Sequence, residues 1–240
     1  MKVITNEKLI KKYSNLGKYL NIGAIAILFG GMAISWLRID LFYLAMIALL
    51  AGFILSQISI FFINRWGRRP RPDERITASL KGLTNDYTLY HYNTPVSHLL
   101  VGPAGVWTIL PYFQRGTITY EKSRWKQRGG GLGLAYLKVF AQEGLGRPDL
   151  DSKSDLDKLT EFFTQAMGTE IPEVKSVLVF TDKRADLQVE GAPIPTMAAE
   201  DLKEFIRKQA KEKPLPGDLL NSTKSILPKE ERPVKSDNGK

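Results

Sequence analysis

The chain has 240 residues, of which 43% are hydrophobic, a formal net charge of +9 and no cysteine. The absence of cysteine excludes disulfides, thiolate metal sites and a cysteine nucleophile, and two histidines, His91 and His98, are too few for a histidine-rich metal site. The charge is uneven: residues 1–75 hold 11 Lys/Arg against 4 Asp/Glu, whereas residues 76–240 hold 23 against 21. The basic excess therefore flanks an apolar N-terminal region and does not form a nucleic-acid footprint spread over the remainder.

Residues 1–18 read as a short N-terminal segment carrying Lys2, Lys8, Lys11, Lys12 and Lys18. Two apolar runs follow, Tyr19–Leu37 and Leu41–Ile63, of 19 and 23 residues, with no charged side chain in either. A helix needs about 20 apolar residues to cross a bilayer, so both runs are candidate transmembrane helices. Only Arg38, Ile39 and Asp40 separate them, which makes a hairpin with both ends on one side. The lysines before the first run and Arg65, Arg68, Arg69 and Arg71 after the second assign both flanks to the cytoplasm by the positive-inside bias. The expectation is a cell-membrane protein with two spans and cytoplasmic N- and C-termini, its Tyr19, Trp36, Tyr43 and Trp66 near the interfaces. A cleaved signal peptide would have a shorter apolar region and no second span directly behind it. Buried core helices of a water-soluble protein are the other alternative. Small residues at Gly30, Gly31, Ala33, Ala48, Ala51 and Gly52 could pack the two helices together or serve oligomerisation.

Residues 64–72 form a linker with two prolines and four arginines, suited to anionic headgroups. A helix is expected from Asp73 to about Leu83, with Ile76, Leu80 and Leu83 on one face and Asp73 as its cap. Strands are expected at Asp86–Tyr92, Val96–Val101, Val106–Leu110 and Thr117–Tyr120, the middle two joined by a Gly/Pro turn as a hairpin. A helix over Leu150–Met167 presents Leu156, Leu159, Phe162, Phe163 and Ala166. The acidic residues Asp149, Asp151, Asp155 and Asp157 lie near its start, where they favour the helix dipole and are expected to face solvent. Lys175–Thr181 reads as a buried strand, Ile194–Met197 as a weaker one and Ala199–Gln209 as a closing helix. This order predicts an α/β layer domain over residues 73–212, followed by a disordered tail over 213–240 in which Asp218–Leu227 docks transiently.

The stretch Ser97–Ile118, SHLLVGPAGVWTILPYFQRGTI, resembles the nuclease-related domain (NERD) family, as does the layout around it over residues 73–208. The matching pieces are Glu74, His98 through Val106, Arg115-Gly116, Val177–Phe180 and Asp201–Ile206. The resemblance implies a restriction-endonuclease-like (NERD-like) α/β fold. It also implies metal-assisted phosphodiester hydrolysis, in which carboxylates hold a divalent cation and a lysine positions or activates water. The sequence departs from that chemistry at the positions that perform it. Glu74 is retained, but Ser97 replaces the family's aspartate, Leu110 its glutamate and Tyr112 its lysine. The resemblance therefore implies a catalytically inactive member, with no cofactor and no resident metal, acting as a binding or scaffold module for an unknown protein partner at the cytoplasmic membrane face. Mg²⁺ belongs only to a rival reading, an active nuclease using Glu74 with relocated groups such as Asp86 or Glu121.

Three further constellations remain. Arg115, Lys122, Arg124, Lys126 and Arg128, with Trp125 among them, could contact anionic lipid or bind nucleic acid without catalysis, or form a solvated hairpin. Gly129–Gly133 lacks the Lys-Ser/Thr of a phosphate loop and reads as a connector. Ser97 and His98 are adjacent on an expected strand and point to opposite faces, so they cannot act as nucleophile and base, and His98 is expected to be structural.

Overall fold

The structure, a computed structural model, describes residues 1–129 and 144–229. It divides into two compact units. One runs Glu7–Arg71; the other combines Met1–Asn6 with the described chain from Pro72 onward.

The first unit is a helical pair. Helix α1 spans Glu7–Leu37, a 3-10 turn covers Ile39–Leu41, α2 spans Phe42–Phe62, and a π turn covers Ile63–Gly67. The buried positions of α1 are Ile10, Gly17, Ala24 and Gly31, and those of α2 are Ala45, Gly52 and Ser59. Both sets repeat every seven residues, the period that keeps one stripe of each helix facing its partner. The stripe is made of small residues because the backbones nearly touch. A Cβ on Gly52 would lie 2.7 Å from Leu28 Cγ, and Ser59 Oγ donates a 2.9 Å hydrogen bond to the Gly17 carbonyl. Of the small residues picked out from the sequence, Gly31, Ala48 and Gly52 lie in this contact, whereas nothing stands within 4 Å of a Cβ on Gly30. Arg38 and Asp40 form a forked ion pair at the turn, with bonds of 3.1 and 3.0 Å. Outside the stripe the helices are apolar and exposed, with Trp36, Leu37 and Ile39 among the most exposed side chains. Both helices are long and apolar enough to cross a membrane, and only 11% of each apolar window is buried. A core helix of a soluble protein would bury most of that surface, so the pair suggests membrane association.

The second unit is mixed α/β. Its elements are β1 (Lys2–Thr5), α3 (Pro72–Ser79), β2 (Thr88–His91), β3 (His98–Gly102), β4 (Gly105–Tyr112), β5 (Gly116–Glu121), β6 (Arg124–Arg128), α4 (Pro148–Met167), β7 (Val174–Phe180), β8 (Ala185–Gln188), β9 (Thr196–Ala198), α5 (Leu202–Glu212) and α6 (Gly217–Ile226). A six-stranded mixed sheet has the order β1-β2-β3-β4-β7-β9, antiparallel across β2-β3-β4 and parallel at its other contacts. A three-stranded sheet has the order β6-β5-β8.

Strands β4 and β7 are covered on both faces, which is why their sequences read as nearly continuous apolar runs. One face carries Trp107, Ile109, Val177 and Val179 against Ile76 of α3, Leu80 directly after it, and Leu202 and Ile206 of α5. The opposite face carries Leu99, Val101 and Val106 against Leu159 and Phe163 of α4. A third cluster of Leu110, Tyr112, Leu178 and Phe180 joins Ile118 of the small sheet. Gly102 is needed where Tyr87 packs on the sheet, because a Cβ there would stand 2.2 Å from the Tyr87 ring.

Two expectations are corrected. Residues 1–18 are not one flanking segment: Lys2–Thr5 form an edge strand parallel to β2, and α1 begins at Glu7. The strand is four residues long and its partner lies beyond the helical pair, so no local pattern announces it. Within the tail expected to be disordered, the stretch expected to dock, Asp218–Leu227, is ordered: Gly217–Ile226 is a helix, and Thr223 and Leu227 are buried, with Leu227 joining the core around Phe163. Residues 230–240 of the expected tail, and 130–133 of the glycine run, lie outside the described residues.

Candidate functional site: strand β4 and the basic hairpin

Strand β4 projects Leu110 and Tyr112 to the same side, as the two-residue period requires. Both are 8% exposed and belong to one apolar cluster. Tyr112 stacks on Phe180 with ring centroids 5.5 Å apart, and its hydroxyl donates a 3.0 Å hydrogen bond to Asp151 Oδ2 on α4. Burial, reinforced by the negative charge of Asp151, pushes the phenol well above the ordinary tyrosine range. Tyr112 is therefore held neutral, as a donor already in use.

The acidic residues of α4 depart in part from expectation. Asp151 accepts from Tyr112, and Asp155 accepts a 2.9 Å bond from Thr108 Oγ1. Between them Ser152 Oγ and Ser176 Oγ share a 2.6 Å bond. Asp155 is half-buried and turns to the sheet, contrary to the expectation of a solvent-facing carboxylate, whereas Asp151 and Asp157 are exposed as expected, Asp151 while accepting from Tyr112. The signal was present: Asp151 and Asp155 continue, in steps of four, to the buried Leu159 and Phe163.

Glu74 sits half-buried in the first turn of α3, the helix covering the face of Trp107 and Ile109. Leu110 and Tyr112 occupy the other face. Next to Glu74, Arg75 Nη1 contacts the Thr181 carbonyl and hydroxyl at 3.3 Å, and Thr181 N donates to the Tyr112 carbonyl at 2.7 Å. The first turn of α3 is thus stitched to the ends of β4 and β7 through Arg75. Ser97 lies just before β3, where its carbonyl accepts from Tyr92 N at 2.9 Å. His98 turns to His91 across the strand pair, Nδ1 to Nδ1 at 2.8 Å, and His91 Nε2 meets Thr77 Oγ1 at 2.9 Å. One ring must donate the shared proton and the other accept it. The imidazole of His98 is committed to this chain within the fold. Asp86 and Glu121, the groups considered for a relocated site, stand on separate elements. Asp86 accepts from Thr84 in the loop before β2, and Glu121 accepts from Lys126 and Arg128 on the small sheet. Among the described residues no three His, Asp or Glu side chains gather where they could hold a metal.

The basic cluster divides along the β5–β6 hairpin. Lys126 and Arg128 both reach Glu121, at 3.2 and 3.0 Å, and the Lys126 hydrogen bond leads in holding that carboxyl below its usual range. Arg115 precedes β5, and its carbonyl accepts from Gln127 Nε2. Lys122 and Ser123 form the two-residue turn, both with positive φ, at 50° and 58°. Arg124 lies in a 380 Å³ cavity also lined by Trp125, Ser123, Arg147 and Asp149. Arg147, which pairs with Asp149 at 3.4 Å, joins this site through the fold and has no sequence signal linking it to the hairpin.

No family model, no curated protein and no solved structure matches the chain.

Proposed function

We propose that the chain is a membrane-anchored, non-enzymatic binding or scaffold protein whose α/β unit is a degenerate, restriction-endonuclease-like relative of the nuclease-related domain. The observation that carries this reading is the packing of Leu110 and Tyr112. Metal-assisted phosphodiester hydrolysis needs carboxylate oxygens to hold the cation and a basic group near the attacking water. Leu110 offers no oxygen, and the Tyr112 hydroxyl is spent on Asp151. Both positions have become part of the core.

In this reading α1 and α2 are a transmembrane hairpin in the cell membrane, and the basic flanks assign both termini and the α/β unit to the cytoplasm. The pairing of β1, which precedes the hairpin, with β2, which follows it, supports an even number of crossings. The partners are the lipid bilayer and a protein not identified by its chemistry. Titration of the full chain in detergent with Mg²⁺ and Mn²⁺ by calorimetry tests the assignment. The expected result is no binding heat; stoichiometric binding abolished by Glu74→Ala would overturn it.

A second reading, a nucleic-acid tether without catalysis, is favoured by the Arg124–Trp125–Arg147 cavity, where guanidinium groups stand beside an indole. It predicts salt-sensitive binding of single-stranded nucleic acid, weakened by Arg124→Ala and Arg147→Ala. Binding unchanged in both variants would exclude this cavity.

A further inference from the structure

The base of the helical pair holds an aromatic stack that the proposed function does not use. Tyr13 of α1 stacks on Phe62 at a centroid distance of 5.6 Å and lies 4.8 Å from the Trp66 ring. Phe62 and Trp66 are stacked at 5.5 Å, and Phe61 meets Trp66 edge-on at 6.0 Å. Cations from both helical segments cap this stack. Lys12 Nζ lies 5.9 Å from the Tyr13 centroid, and the Arg65 guanidinium lies 5.0 Å from that of Trp66.

Position and charge point to one kind of occupant. Phe61 and Phe62 end the second apolar run, and Tyr13 lies just outside the charge-free stretch that opens at Tyr19. Amphipathic rings settle at that depth, and the aliphatic stems of lysine and arginine lie along apolar surface while their heads reach the polar layer. Acid is sparse at this level: residues 8–39 and 41–72 contain no Asp or Glu, and Glu7 at the start of α1 pairs with Arg71 at 3.7 Å, while Lys8, Lys11 and Lys18 add cations on α1. Lys12 and Arg65 are both exposed.

We propose that this cluster is a headgroup site for anionic phospholipid. The phosphate sits between the Lys12 and Arg65 heads, and the glycerol and upper acyl region lies along Tyr13, Phe62 and Trp66. The proposal rests on reading α1 and α2 as membrane spans. It adds that the inner end of the hairpin selects lipid by charge and does not merely tolerate any bilayer. Each basic residue near a membrane surface is worth about 1 kcal/mol of attraction to anionic lipid, or about fivefold in retention.

The test is native mass spectrometry of the full chain released from micelles containing equal phosphatidylglycerol and phosphatidylcholine. Wild type should retain phosphatidylglycerol preferentially, Lys12→Gln and Arg65→Gln should each lower that preference about fivefold, and Tyr43→Phe at the far end of the pair should leave it unchanged. Equal retention of the two lipids by wild type, or a preference unaltered in both variants, overturns the proposal. Alkaline carbonate extraction of the same protein from membranes separates the two levels. Release into the supernatant would defeat the membrane reading itself, whereas a protein that stays in the membrane without lipid preference defeats only the headgroup site.

Discussion

Tyr112 on β4 and Asp151 on α4 are joined by a 3.0 Å hydrogen bond between a phenol and a carboxylate at the edge of an apolar cluster. The bond ties the C-terminal end of β4 to the helix that covers it, two residues beyond Leu110. It gives the β4 side chain a structural task that a lysine at this position could perform only by bringing a charge into the same cluster.

Tyr112→Phe is expected to lower stability by about 2 kcal/mol, the usual range for a hydrogen bond to a charged group. Denaturant titration of the full chain in detergent measures it. The same bond sets a pH dependence. The folded phenol ionises well above its ordinary range, because of burial and the Asp151 charge. Its contribution is therefore complete below about pH 10 and declines as pH rises, since the unfolded chain ionises first. Tyr112→Phe should flatten that alkaline decline.

Leu110→Glu is expected to destabilise the α/β unit by about 3 kcal/mol or more, because it brings a carboxylate into the cluster of Leu178, Phe180 and Ile118. No nuclease activity is expected from the added carboxylate. Thermal unfolding and a cleavage assay on the same preparation check both points.

In the helical pair, Gly52→Leu should separate α1 from α2, since even a Cβ at that position stands 2.7 Å from Leu28. Disulfide trapping between cysteines introduced at Gly31 and Ala48, where a Cβ on Gly31 would stand 3.0 Å from the Ala48 Cβ, should fall in that background. Ser59→Ala, which removes only the bond to Gly17, should cost about 0.6 kcal/mol.

At the tip of the basic hairpin, Ser123→Gly should stabilise the protein by about 0.5–1 kcal/mol, because Lys122 and Ser123 hold the left-handed conformation that glycine adopts without steric cost. A rise in the denaturation midpoint checks this. An unchanged or lowered midpoint would mean that the serine side chain compensates for the backbone strain.

Much of the fold was legible because its signals are local. The charge-free runs around Ala24 and Gly52 mark the helical pair, and the apolar runs Val106–Leu110 and Lys175–Thr181 mark the two central strands. What escaped depends on distant partners. β1 is a strand only because β2 offers an edge, and β6 and β8 form only beside β5. The docking of Asp218–Leu227 was foreseen, but not its helix or the place of Leu227 in the core around Phe163. At the candidate site the lack of a carboxylate at Leu110 and of a lysine at Tyr112 was visible in the sequence, but the role of Asp151 was not, because acidic residues at a helix start usually answer to the dipole. The steps of four from Asp151 through Asp155 to Leu159 and Phe163 were the available clue. The contribution of Arg147 to the cavity of Arg124 had no clue in the sequence.

In the proposed function, Leu110 and Tyr112 leave the α/β unit without phosphodiester chemistry. The most direct measurement is cleavage of single- and double-stranded DNA and RNA by the purified full chain in detergent, with Mg²⁺ or Mn²⁺, beside Glu74→Ala. Wild type and variant are expected to give the same background. Metal-dependent cleavage present in wild type and lost in Glu74→Ala would contradict it.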